Sequence, residues 1–350
     1  MNISIRGILS PVVMVTVLLG LVACGGGDSG SDTTGALTYT GPTAIVDLTT
    51  TDAGSVAGDV WSNIDALSFN PSGVVDGTPT AVQTRPAGGT SLPGLNEQVR
   101  RAVNLLPRFN ATEALPAGVT TSQTLACSVS GSITMTANQQ DSNKLSPGDR
   151  YELRFNNCDQ GTDVTSGSLS MNIDSFSGDP ALMTDYAMAG RVSFDVTVRD
   201  KSTGASFRGA GGMNFEQSQT GTVMSSRVYG TRVVFSEGAR QLMLRDFDFW
   251  EDFDSAGPSR TYSADFTLSS TDIGGTVIVQ TLVPFQSTGY FANPTVGSLR
   301  ITGANDAWVQ LDAESDGQNV TLSWDLNPID GTADASKTVL WEGLPTTTIP

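Results

Sequence analysis

Histidine is absent from the 350-residue chain. That excludes histidine acid–base chemistry, Ser-His-Asp triads and histidine-containing zinc sites. Basic residues are scarce, 19 Lys and Arg against 36 Asp and Glu, for a net charge of −17. A surface so acidic repels nucleic acid and anionic lipid headgroups, and nucleic acid is not an expected partner. The sequence contains no Gly-x-Ser-x-Gly elbow, Walker loop, dinucleotide fingerprint or Cys/His metal motif. Aromatic residues are 7% of the chain and scattered, unlike the girdles of a membrane-spanning barrel.

What is present begins at the N-terminus. Arg6 is followed by an apolar run from Val12 to Val22 and then by Leu21-Val22-Ala23-Cys24. The run is shorter than the ~20 residues of a membrane-spanning helix, so residues 1–23 are expected to be a signal peptide. Cysteine directly after Leu-Val-Ala resembles the bacterial lipobox. The resemblance implies a lipoprotein in which Cys24 is acylated and becomes the new N-terminus. Acyl chains anchor a protein through about 0.8 kcal/mol for each buried CH₂. The Gly/Ser-rich segment that follows, residues 24–36, reads as a flexible tether. Gly25, where the usual sorting pattern for inner-membrane retention has Asp, implies the outer membrane. Cys127 and Cys158 remain, and in an exported protein two leftover thiols are expected to pair.

From about residue 120 the apolar residues recur with period two. Val192, Phe194, Val196 and Val198 alternate with Ser193, Asp195, Thr197 and Arg199. The same holds for Tyr151, Leu153 and Phe155, for Leu169, Met171 and Ile173, and for Val320, Leu322, Trp324 and Leu326. Such alternation predicts antiparallel strands with one packed and one wet face. Clusters such as Ser146-Pro147-Gly148-Asp149 and Ser255-Ala256-Gly257-Pro258 separate them as turns. The expected fold is all-β: an antiparallel meander over residues 121–350 forming a half-open or closed β-barrel. A two-sheet sandwich, or two β domains divided near residue 290, are the alternatives. One short helix is expected at Leu95–Leu106, where Leu95, Val99, Val103 and Leu106 share a face and Pro107 ends the run. The remainder of residues 37–120 reads as extended segments and loops.

Two constellations suggest chemistry. Asp246-Phe247-Asp248-Phe249-Trp250-Glu251-Asp252-Phe253-Asp254 reads as a strand with Phe247, Phe249 and Phe253 on one face. Its acidic face is expected to be offset by Arg240, Arg245 or Arg260, or else to form a cation site or polar groove. Asp312, Glu314 and Asp316, then Asp325, Asp330 and Asp334, resemble degenerate calcium loops, with ordinary Asp-Gly hairpin turns as the alternative. Structural calcium is thus the one candidate cofactor. The expected function is a non-enzymatic outer-membrane lipoprotein, a structural or binding module with a lipid or protein partner. The alternatives are a periplasmic carrier of a hydrophobic ligand and, less favoured, a polysaccharide hydrolase.

Overall fold

The computed structural model describes residues 37–67, 120–141, 145–179, 184–289, 292–327 and 329–346. Among the described residues fourteen strands follow one another in chain order, each antiparallel to the next, in one continuous sheet. The first eight are β1 (Thr120–Ala126), β2 (Ser130–Asn138), β3 (Arg150–Asp159), β4 (Asp163–Asp179), β5 (Thr184–Asp200), β6 (Ser206–Thr220), β7 (Val223–Glu237) and β8 (Arg240–Asp254). The last six are β9 (Ser259–Ser270), β10 (Gly275–Thr288), β11 (Val296–Thr302), β12 (Trp308–Ala313), β13 (Asn319–Asp325) and β14 (Ala335–Leu340). β1 and β14 are the two edges and do not pair, so the meander is half-open. One sheet replaces the alternative sandwich, and β10 pairs directly with β11, so no domain boundary falls near residue 290.

The alternation is realised as a single core face. Met135, Leu153, Leu169 and Phe194 lie opposite one another across β2 to β5. None of the four is more than 5% exposed. Full burial of one such side chain stabilises by about 1.5–3 kcal/mol. Val309, Leu311, Val320 and Leu322 extend this face through β12 and β13, each at 0% exposure. Over β4 to β8 the outer face carries ion pairs. Arg191 on β5 bonds Asp174 on β4 through two nitrogens, Arg208 on β6 does the same with Asp195 on β5, and Arg227 on β7 with Asp248 on β8.

Large rings need room on this crowded face. A Cβ on Gly209 would stand 2.9 Å from the Phe235 ring, and one on Gly230 would stand 2.6 Å from Phe247. Each glycine lies opposite, or directly across the ladder from, the ring it admits.

The acidic strand β8 holds a second device. Leu242 and Leu244 face the core, and simple alternation would bring Asp246 and Asp248 there next. The pairing with β9 instead slips between Arg245 and Asp248, and Asp246 takes a positive φ of 48°. This bulge exchanges the two faces, so Phe247, Phe249 and Phe253 are turned toward the core side with Glu251 beside them.

One α-helix is described, α1 (Ala53–Leu67), and it corrects the reading of residues 37–120 as extended segments around a helix at 95–106. The Leu95–Leu106 segment lies outside the described residues. Ala53, Val56, Ala57, Val60 and Ile64 join the core, at i, i+3, i+4, i+7 and i+11. The Thr49 amide donates to the Asp52 carboxylate at 2.8 Å, and the Thr49 carbonyl accepts from Ala53. This is the return half of a capping box, with the third residue's carboxylate satisfying the cap amide.

Candidate functional site

The expected disulfide is present. Cys127, just after β1, bonds Cys158 in β3, with Cα atoms 5.4 Å apart. It ties the β1–β2 turn to the next strand, and Val129 reinforces it by donating its amide to the Asp159 carbonyl at 3.0 Å. Cys24 lies outside the described residues.

The six C-terminal carboxylates are not brought together. Asp312 accepts from Gln310, and Glu314 accepts from the Thr321 hydroxyl at 2.6 Å. Asp316 takes the amides of Gln318 and Asn319, and Asp334 takes those of Leu326 and Asn327. Those donors favour the ionised form and hold both carboxyls below the usual carboxylate range. Asp325, fully buried, accepts from the Gly331 amide at 2.7 Å, and Asp330 accepts from Thr332. The oxygens of Asp316, Asp325, Asp330 and Asp334 are engaged in closing hairpin turns. Among the described residues no group of three or more His, Cys, Asp or Glu is placed to hold a metal ion.

On β8 two of the carboxylates, Asp248 and Glu251, are paired with arginines of the neighbouring strands. Glu251, 5% exposed, accepts from Arg260 on β9 at 2.6 Å. The Arg260 guanidinium lies 4.4 Å over the Tyr262 ring, which fixes it further. Arg240 reaches Asp272 in the β9–β10 turn instead of a β8 carboxylate. Arg245 does not serve as a partner: its Nε is buried without a hydrogen bond. The partner that sequence reasoning misses is Arg227, which takes Asp248.

The most elaborate construction involves residues whose sequence reads as loop. Residues 37–48 form a strap over one end of the sheet. It starts on the outer face, where Leu37 and Tyr39 pack with Val234 of β7 and Met243 of β8. The Thr40 amide then donates to the Gln241 side chain at 2.8 Å. Farther along, Thr276 at the start of β10 donates its amide to the Ala44 carbonyl at 2.8 Å, and its own carbonyl accepts from Val46 at 2.9 Å. The Val46 carbonyl next accepts from Ala304 at 2.7 Å, and Leu48 enters the core. The strap thus passes from one face of the sheet to the other around its rim. Gly275 and Gly303 let it lie close: a Cβ there would be 2.6 Å from the Ala44 carbonyl oxygen and 2.5 Å from that of Val46.

The strap feeds directly into α1, whose Trp61 ends in an aromatic cluster. Its ring lies 5.0 Å from Phe285 of β10 and 4.3 Å from Trp341, in the short 3-10 turn Trp341–Thr346 that follows β14. Tyr262 stacks on Phe285 at 5.4 Å. The sequence signals for this helix are the Thr49-Thr50-Thr51-Asp52 cap and the apolar spacing after it, obscured by Gly54 and Gly58. No protein-family model, curated protein or solved structure matches the chain.

Proposed function

We propose that the protein is a non-enzymatic lipoprotein of the outer membrane, acylated on Cys24, whose β body is a structural or binding module held at the membrane by the tether 24–36. The observation that supports this best is the strap. The segment that emerges from the tether is bonded to β8, β10 and the turn after β11, then continues into the core as α1. A pull on the tether is therefore shared among several strands and a buried helix. A chain end left merely hanging from a sheet edge would fray first.

A second reading, a carrier of a hydrophobic ligand, draws on the far half of the core face. There Phe176, Phe215, Val228 and Phe249 are only partly buried, and the buried Trp341 indole nitrogen has no hydrogen-bond partner.

One measurement addresses both. Protein extracted from outer membranes is weighed intact, first denatured and then under native conditions, beside the Cys24→Ser variant. The lipoprotein reading expects a mass starting at Cys24 with acyl chains added, and a Cys24→Ser chain released into the soluble fraction. An unacylated wild-type chain would overturn it. A lipid-sized mass retained only under native conditions would favour the carrier.

A further inference from the structure

Nine large apolar side chains are exposed among the described residues. Four of them, Val129, Val223, Ile329 and Leu340, are scattered over turns and strand ends. The other five are Ile45, Ile278, Leu282, Val283 and Val296, each between 41% and 48% exposed. They belong to β10, to its neighbour β11, and to the strap residue bridged to Thr276 of β10. On β10, Val277, Val279 and Phe285 face the core, which leaves Ile278 and Leu282 to the outside. A slip in the β10–β11 ladder between Thr281 and Val283 then places Leu282 and Val283 outside in succession, where regular alternation would bury one of them.

Charge singles out the same place. The chain carries 36 acidic residues in 350, yet none lies between Asp272 and Asp306, and Arg300 is the one charged residue of that stretch. β10 bears no charge at all. Arg300 is itself drawn over the Trp308 ring at 4.4 Å. An outer surface that is elsewhere acidic and laced with Arg–Asp pairs here lacks acidic residues and exposes apolar side chains among neutral ones such as Gln280 and Gln286.

We propose that this outer face of β10–β11 lies on the surface of the lipid bilayer. The inference rests on the acylation of Cys24 and adds to it an orientation. The place where the described chain begins argues for a membrane as the occupant. Leu37 and Tyr39 leave the body on this same outer face, against β7 and β8. From β8 to β10 is two strand spacings, about 10 Å. Residues 24–36 can span about 45 Å when extended, more than enough to bring the patch down beside the anchor. Neutral apolar side chains enter a headgroup region readily, whereas the acidic remainder of the surface is repelled from anionic lipid.

The test uses the full acylated chain, reconstituted in phosphatidylcholine–phosphatidylethanolamine vesicles that contain spin-labelled lipid. A bimane fluorophore is attached to Val283→Cys or, as a control on the polar outer face, to Ser193→Cys of β5. Intact mass verifies acyl chains and the Cys127–Cys158 bond in both. The orientation predicts several-fold stronger quenching at position 283 than at 193, with bluer emission. Equal, weak quenching at both sites in acylated, vesicle-bound protein would overturn the orientation and leave the anchor standing. A chain that carries no acyl mass would overturn both.

Discussion

Across β1 to β8 the lateral ties run within the sheet itself. A disulfide joins the β1–β2 turn to β3, and three Arg–Asp pairs link neighbouring strands across the outer face. Across β9 to β14 the strands are shorter on average, the charged pairs Arg260–Glu251 and Arg240–Asp272 lie at the border with β8, and further ties come from outside the sheet. There α1 and the Trp341 turn fill the core face while the strap clasps the rim. The contrast is sharpest between the long strands β4 to β8 and the short strands β11 to β14. Strands of 15–17 residues have a long ladder and enough outer surface for cross-strand pairs. Strands of 6 or 7 residues, as in β11 to β14, have neither and depend on a helix to complete their core.

The sharpest way to break the second region is through Phe285, 1% exposed and in ring contact with Trp61, Tyr262 and Trp341. Phe285→Ala removes the ring that joins helix, sheet and C-terminal turn. A loss of about 3–5 kcal/mol is expected, as for other buried aromatic truncations. Because Trp61 and Trp341 lie in the same cluster, their emission should shift to the red while the far-ultraviolet β signal persists. A loss below about 1 kcal/mol would mean that α1 is not what holds β9 to β14 together.

The first region is probed through its covalent tie. Replacing Cys127 and Cys158 together by serine opens a loop of 31 residues. Loop-closure entropy puts the cost at about 3–4 kcal/mol, chiefly through a less restricted unfolded chain. Hydrogen exchange should rise in β1 to β3 and stay unchanged in β9 to β14. A uniform rise across the sheet would show that the two regions unfold as one unit and that their separate fastenings do not matter.

These contrasts are only partly legible in the amino-acid sequence. Period-two burial in residues such as Val192, Phe194 and Val196 follows directly from the pleat, so the strands and their core face can be read off. Helix α1 is hidden because Gly54 and Gly58 lower helix propensity, and only the packing of the face formed by Val56, Val60 and Ile64 compensates. The bulge at Asp246 is unreadable for a related reason: a positive φ at a non-glycine residue is set by the strands on either side. The C-terminal carboxylates are ambiguous because a calcium loop and a capped hairpin both call for closely spaced Asp and Gly. Only the backbone amides that meet Asp316, Asp325 and Asp334 decide between them.

The smallest effect lies where α1 meets the rim. Burial raises the pKa of Asp59, the Asp272 carboxylate raises it further, and Arg240 offsets these only in part. A carboxyl whose folded pKa lies above the unfolded value of about 3.9 costs stability when ionised. The cost is present at neutral pH and disappears as pH falls through the raised pKa. Asp59→Asn, which keeps the shape and removes the charge, should therefore stabilise the protein at pH 7. The gain is expected to be under about 1 kcal/mol, since Arg240 already screens much of the repulsion. Denaturant midpoints of both proteins should draw together as pH falls through the raised pKa and coincide below the unfolded value of about 3.9, where both states are protonated. If the variant is instead the weaker protein at pH 7, the Arg240 attraction outweighs burial and repulsion together. Asp59 would then be a third member of the Arg240–Asp272 pair, and the helix-filled region would have an electrostatic tie of the kind that marks β1 to β8.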